Sequence, residues 1–375
     1  MARLPTTHHI PPQDDPRFQH LRLLRSRRVG PATYRRLLAE YGSAAAALDA
    51  LPGIAAAAGV SDYTVCPEGV VAAELKAGQA AGARLLMQGD PAWPRVIDDL
   101  SDAPPLMWTL GQVDLLQRPM VAMVGARNAS SLGTRMAKTM AADLTAAGFV
   151  VVSGLARGVD AAAHLAALPG GTVAVQAGGV DVIYPMENAE LAHRIAAQGL
   201  RLSEMAMGMQ PQARHFPARN RIIAGLSRAV VVVEAAAKSG SLITARNALD
   251  AHRDVLAVPG HPFDARAAGC NMLIRDGATL VRSAADVIEA LGILPAAPEL
   301  PLNLPAAQPR PQRTLQESAA LHNRILDRLG VSPLAEDQLI RDIGSPALVV
   351  TPALVDLELD GRIARSAGGL LSRVC

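Results

Sequence analysis

The hydrophobic period of the chain changes twice. Between residues 17 and 82 apolar positions recur at helical spacing. Leu21-Arg-Leu-Leu-Arg, Val29-Gly-Pro and Tyr34-Arg-Arg-Leu-Leu predict two short amphipathic helices joined by a Gly-Pro turn. A second turn is expected at Leu51-Pro-Gly-Ile, leading into an Ala-rich helix, and this all-α region ends near Gly82. From Arg84 to Leu291 short β-branched runs alternate with Ala-rich stretches. The runs are Val121-Ala-Met-Val, Phe149-Val-Val-Val, Thr172-Val-Ala-Val, Leu200-Arg-Leu-Ser, Ala229-Val-Val-Val-Val and Val255-Leu-Ala-Val. Continuous apolar strands separated by helices predict a parallel sheet covered on both faces, a doubly wound α/β domain.

Pro295 to Thr314 then holds six prolines without periodicity, which reads as a stiff linker. Beyond it, helices at Leu321–Leu329, Ala335–Arg341 and Pro352–Leu359 precede a hairpin around Gly361–Leu371, an order that suits a winged helix. The expected boundaries are a helical domain at 17–83, an α/β domain at 84–292, a linker at 293–316 and a winged helix at 317–375.

Composition narrows the class. The 375 residues are 50% hydrophobic and 19% charged, which excludes disorder for most of the chain. No run of about 18 uninterrupted apolar residues occurs, so no membrane span is expected. Met1 to Pro16 is polar, with four prolines, unlike a signal peptide or transit helix. Cys66, Cys270 and Cys375 lack metal spacing and are too few for a disulfide framework, which points to a reducing cytoplasm.

The net charge of +2 hides local imbalance. Arg17–Tyr41 holds seven arginines against Glu40, and Met205–Arg253 holds seven basic residues against Glu234 and Asp250. Residues 318–375 carry six arginines against seven acids, so protein contact is favoured there over duplex reading. The basic N-terminal helices are the better auxiliary phosphate binders. Of 36 basic residues only Lys76, Lys138 and Lys238 are lysine.

In doubly wound folds ligands bind outside the carboxyl ends of the strands, so chemistry is sought in the loops there. Gly125-Ala-Arg-Asn follows the first parallel strand. Its glycine and the next helix's N–H groups suit a phosphate, with Arg127 adding a bidentate charge, although a simple strand–helix turn fits as well. Ser153-Gly-Leu-Ala-Arg-Gly-Val-Asp160 repeats the arrangement around Gly154 and Arg157. Asp160 and His164 have metal-pair spacing without a third ligand, so a capping role is expected for Asp160. Gly178 and Gly179 form a third loop, where Tyr184 and Pro185 are expected to pack. Arg214, Phe216, Arg219 and Arg221 place cations around a rare aromatic ring. Acids are scarce nearby, and such a loop suits single-stranded nucleic acid; a buried anchor is the other reading of Phe216. Lys238, before Ser239-Gly240, suggests a point charge on a phosphate, or else an ordinary surface lysine. No Walker pattern, GxSxG, HExxH or Cys–His cluster is present, and no cofactor or metal is expected. Glu204 and Glu234 are possible general bases without a visible partner.

As a set, these loops resemble the DNA-processing protein A family, also called DprA or Smf. The resemblance rests on Val124-Gly-Ala-Arg127, Ser153 to His164, Gly178 to Asn188, Phe216 to Ser227, Lys238 to Ala245, Val258-Pro-Gly260 and Gly269 to Ile274. It implies an extended Rossmann-like domain with a small N-terminal SAM-like module and an optional winged helix. It further implies a homodimer that binds single-stranded DNA without hydrolysing it and loads RecA during natural transformation or recombination. Carried over, Arg127 and Lys238 bind phosphate, Phe216 stacks on a base, and backbone at Gly154 and Gly178-Gly179 lines the pocket. Ala126 replaces the family's usual serine, removing a hydroxyl. Arg214 lies closer to the ring than the family's usual basic residue. The competing expectation is a nucleotide hydrolase of the LOG or lysine-decarboxylase-like kind, whose PGGxGT motif Pro169-Gly-Gly-Thr172 imitates at its start only.

Overall fold

The computed structural model describes residues 16–292, 315–330, 332–366 and 369–374. The polar N-terminus and residues 293–314 of the expected linker lie outside the described residues, and residues 315 and 316 belong to a helix. The chain divides into two compact units at Pro295.

The first unit opens with four helices: α1 (Pro16–Arg25), α2 (Pro31–Tyr41), α3 (Ala44–Ala57) and α4 (Glu68–Ala80). The Gly-Pro turn falls as expected: Gly30 caps α2, with Pro31 at its first position, where a missing N–H costs nothing. The expected turn at Leu51-Pro-Gly-Ile does not form. Pro52 lies inside α3, because Ala44, Ala47, Leu48, Leu51 and Ala55 bury one face and outweigh the lost hydrogen bond.

A nine-stranded sheet follows, ordered β1-β2-β6-β5-β4-β3-β7-β8-β9. The strands are β1 (Arg84–Met87), β2 (Leu106–Gly111), β3 (Met120–Val124), β4 (Val150–Ser153), β5 (Thr172–Val175), β6 (Leu200–Ser203), β7 (Ala229–Val232), β8 (Asp254–Ala257) and β9 (Thr279–Leu280). The helices between them are α5 (Ser131–Ala146), α6 (Val159–Ala167), α7 (Ala189–Gln198), α8 (His215–Leu226), α9 (Ser241–Asp250), α10 (Ala268–Arg275) and α11 (Ala284–Ala290).

Strands β3 to β9 pair in parallel, while β1 and β2 form an antiparallel hairpin that the periodicity did not mark. Both faces of the parallel part are packed, and successive residues of each strand alternate between them. Ala122, Val150, Val152 and Val230 lie in one cluster, and Val121, Val151 and Val231 in the other. Phe18, Leu21, Val71 and Leu75 of the helices share a third core with Leu85, Leu106 and Trp108 of the hairpin. The helical domain is therefore bonded to the sheet edge through a common core rather than hung beside it.

From β3 the chain winds outward through β4, β5 and β6, then returns along α8 to place β7 on the other side of β3. The crevice between the carboxyl ends of β3 and β7 is thus the topological switch point, where doubly wound folds bind ligands.

The second unit consists of α12 (Leu315–Arg328), β10 (Leu334–Ala335), α13 (Glu336–Ile343), α14 (Ala347–Leu359), β11 (Ile363–Ser366) and β12 (Leu370–Arg373), with sheet order β10-β12-β11. This is the winged-helix arrangement. α14 starts one turn earlier than expected, and Pro352 lies inside it.

Candidate nucleic-acid interface

Two loops meet first at the switch point. The β3–α5 loop carries Arg127 and the β4–α6 loop carries Arg157. Val159 N–H donates to the Ala126 carbonyl across 3.2 Å. Gly158 has φ +72°, and a Cβ there would strike the Ala126 and Arg127 carbonyls, so only glycine fits. Gly125 is needed for close approach instead: a side chain would meet Val159 and the Glu234 carbonyl.

α8 crosses beneath these loops and supplies Arg219 as a buried prop. Its Nη1 donates to the Gly154 and Val175 carbonyls at 2.5 and 2.7 Å, tying the ends of β4 and β5. Burial pushes its guanidinium down to about 10, so it stays cationic at neutral pH. Asp160 does not cap α6, whose N-cap Gly158 has no side-chain bond; it accepts instead from the Gly154 and Ala156 N–H groups and so holds the loop before the helix. Burial raises its carboxyl, against the pull of Arg219 and those N–H donors.

His164 is spent in a separate chain. Its Nε2 accepts from Leu155 N–H at 3.2 Å, its Nδ1 donates to Thr172 Oγ1 at 2.7 Å, and that hydroxyl donates to the Val151 carbonyl. Burial, then the charge of Arg219, lower its pKa to about 3. A neutral imidazole with both nitrogens occupied holds structure, and among the described residues no group of three or more His, Cys, Asp or Glu is placed to bind a metal.

Above this base opens a cavity of about 800 Å³ lined by Gly125, Arg127, Phe216, Arg219, Lys238 and Ser239 among others. A smaller one, about 260 Å³, lies beyond Phe216 and is lined by Gly154, Arg157, Tyr184 and Glu187. The half-buried Phe216 ring is the ridge between them. The Arg127 and Arg219 guanidinium carbons lie 5.5 and 6.0 Å from its centroid, and the Tyr184 ring lies 5.7 Å away, tilted by 55°. Arg127 and Lys238 are exposed, and neither forms an ion pair among the described residues, whereas Arg266 pairs with Asp264 and Arg157 reaches Glu187 at 3.5 Å. Two cations without carboxylate partners, in one cavity with a half-buried aromatic ring, can hold phosphates while a base stacks.

A model of the family described as DNA recombination-mediator protein A matches residues 84–292, more than half of the chain. The chain belongs to this family. A DprA-like N-terminal HHH domain matches residues 14–77, and the DprA winged helix domain matches 308–369. Protein Smf of Synechocystis is 43% identical over 227 residues, covering 59% of this chain and 57% of that protein. DNA processing protein DprA of Streptococcus pneumoniae is 47% identical over 201 residues, covering 53% and 71%. Protein Smf of Escherichia coli K12 is 37% identical over 284 residues, covering 73% and 74%. Among solved structures, DNA processing protein A of Streptococcus pneumoniae superposes with a TM-score of 0.62 at 38% identity, over 72% of this chain and 96% of that one. That of Helicobacter pylori, solved for its single-stranded DNA binding mode, gives 0.52 at 32% identity, over 56% and 95%.

Within this member of the DNA recombination-mediator protein A family, the expected residues part company. Gly125, Arg127, Phe216, Arg219, Lys238, Ser239 and Gly240 line the larger cavity, and Gly154 and Arg157 the smaller. Ser153 does not reach either. It is fully buried and donates to the Met123 carbonyl at 2.6 Å. Gly178 and Gly179 are covered by the segment Ala206–Pro211, with Gly179 N–H donating to the Met209 carbonyl. Arg214 is exposed at the start of α8, beside His215 and outside the cavity walls. Arg221 is no free cation: it pairs with Asp102 at 3.0 Å and Glu204 at 2.5 Å, which explains Glu204 too. Tyr184, expected to pack, is 51% exposed and forms the second aromatic of the site. Asn220, Thr244 and Arg266 also line the cavity without having been foreseen. For Tyr184 the scarcity of aromatic residues was a usable signal. The hydrolase-like Pro169-Gly-Gly lies at the amino end of β5, opposite the carboxyl-end cavity.

Proposed function

We propose that this protein binds single-stranded DNA in the switch-point cavity and acts as a recombination mediator that loads a RecA-type recombinase on it, during transformation or recombination. The reading is carried by one observation: Arg127 and Lys238, both without a carboxylate partner among the described residues, line one cavity with the half-buried ring of Phe216, over which Arg127 lies. The Helicobacter pylori relative, which binds single-stranded DNA, supports it. Phosphate charge supplies the affinity and stacking supplies the preference for unpaired bases. The protein holds DNA without hydrolysing it and works as a homodimer. The winged helix serves protein contact: α14 exposes Leu348, Val355 and Leu359 beside Asp356 and Asp360, where a duplex reader carries cations.

The test is a salt titration of binding to single- and double-stranded oligonucleotides. A single-strand preference with affinity falling as salt rises is expected; equal binding to both, or none, overturns the reading. Recombinase filament assembly on protein-coated single strands tests the mediator role separately.

A further inference from the structure

Doubly wound folds that bind nucleotides seat a phosphate at the N-terminus of the helix after the first parallel strand. Here that helix is α5, and the seat is taken. Glu234, just past the end of β7, turns its carboxylate onto the start of α5: Oε2 accepts from Ser130 N–H at 2.9 Å, and Oε1 accepts from the Ser130 hydroxyl. The same Ser130 Oγ accepts from Gly133 N–H at 2.9 Å, closing the N-cap. A Cβ at Gly133 would collide with the Glu234 carboxylate, so a side chain there would push that carboxylate off Ser130.

We infer that Glu234 is a specificity-determining and positioning residue, whose carboxylate replaces a nucleotide phosphate at α5 and ties together the two loops bearing Arg127 and Lys238. The inference rests on the reading of the basic cavity as the single-stranded DNA site. Its geometry is consistent on three counts. The carboxylate faces a separate cavity of about 580 Å³, lined by Ser130, Gly133, His261 and Arg282, so it adds no negative charge to the walls of the basic one. The clamp spans the switch point, joining the β3–α5 loop to the β7–α9 loop across 104 residues of sequence. The Glu234 carbonyl also packs beneath Gly125, two residues before Arg127. The carboxylate holds the N–H and hydroxyl of the N-cap Ser130, whose Oγ in turn takes Gly133 N–H, and its charge faces the helix dipole, so an incoming phosphate would have to displace it. Arg127 and Lys238 stand in the other cavity, where a polynucleotide backbone can be tracked.

Glu234→Ala vacates the seat and frees both loops. Single-stranded DNA affinity is expected to fall about tenfold, in line with losing charge-assisted hydrogen bonds that order a site. The variant should also gain a saturable thermal stabilisation by inorganic phosphate that the parent protein lacks, a response no purely structural role produces. Glu234→Gln keeps an acceptor for Ser130 N–H and still fills the seat, so about a threefold loss of affinity and no phosphate response are expected. Unchanged DNA affinity in Glu234→Ala, or no phosphate response, overturns the assignment. If Glu234→Ala does not fold, an unchanged affinity in Glu234→Gln overturns it. If the parent protein itself binds no single-stranded DNA, the reading of the basic cavity fails, and the phosphate response of Glu234→Ala alone decides the role of Glu234.

Discussion

Two stretches of this chain, Arg17–Tyr41 and Met205–Arg253, each carry seven basic residues, yet tertiary structure uses them differently. In the first, four of the seven arginines are spent on structure, two within the helical domain and two on the segments that follow it. Arg17 pairs with Asp90, Arg22 with Glu68 and Arg25 with Glu74, while Arg35 donates to the Leu100 and Ser101 carbonyls. Glu74 is further fixed by Trp108 Nε1–H at 2.8 Å. In the second stretch Arg219, Arg221 and Arg253 are likewise committed, to carbonyls and to Asp102, Glu204 and Asp99. Lys238 pairs with no carboxylate among the described residues and lines the cavity. Its companion Arg127 comes from neither stretch. A cation binds ligand only when the fold brings no carboxylate to it, and the acids that neutralise these arginines almost all lie outside the two stretches. Counting charge along a window cannot see them.

The sharpest way to break this contrast is Arg25→Ala. Removing one partner leaves Glu74 buried with only the Trp108 N–H to hold it, and a loss of about 3 kcal/mol in unfolding free energy is expected by urea titration. Single-stranded DNA affinity of the folded protein should not change; a large affinity loss would make the N-terminal helices part of the interface.

On the other side of the comparison, Phe216→Ala should cost about 2 kcal/mol of single-strand affinity with little salt dependence, whereas Phe216→Trp should retain most of it. Binding isotherms at two salt concentrations separate stacking from charge. Arg127→Ala and Lys238→Ala should each weaken binding roughly tenfold and reduce the salt slope by about 0.7, at unchanged melting temperature. A melting change without an affinity change would move either residue to the committed class.

His164 extends the contrast to pH. Held neutral with a pKa of about 3 when folded, it takes up its proton on unfolding, so the unfolded state binds more protons between that value and 6.5. Unfolding free energy should therefore fall as pH drops through this window, by at most about 1.4 kcal/mol per pH unit from this group. NMR titration should show the His164 ring still neutral at pH 5. The smallest effect is expected from Arg28→Ala, an exposed cation outside the cavity: less than about 0.5 kcal/mol on either stability or binding.

Much of the fold was legible because the β-branched runs from Val121 to Val258 are buried on both faces, and a local pattern reports that directly. The β1–β2 hairpin was not, since Leu85, Leu106 and Trp108 take their partners from Phe18, Val71 and Leu75, far away in sequence. Pro52 misled for a related reason. Its turn signal is local, whereas the burial of Leu48 and Leu51 that keeps α3 intact is tertiary.

By itself, then, the sequence determined the alternation of strands and helices, the family, and three residues that the fold brings to one cavity: Arg127, Phe216 and Lys238. Only the tertiary structure decided which other charges are available. It withdrew Arg221 into an ion pair with Glu204, turned Arg219 into a buried prop, brought Tyr184 up to Phe216 and set Glu234 on the start of α5. The physical reason is the range of the interactions. Hydrophobic periodicity is read within about a dozen residues, but whether a polar group is free depends on partners that the winding of the sheet carries in from distant parts of the chain.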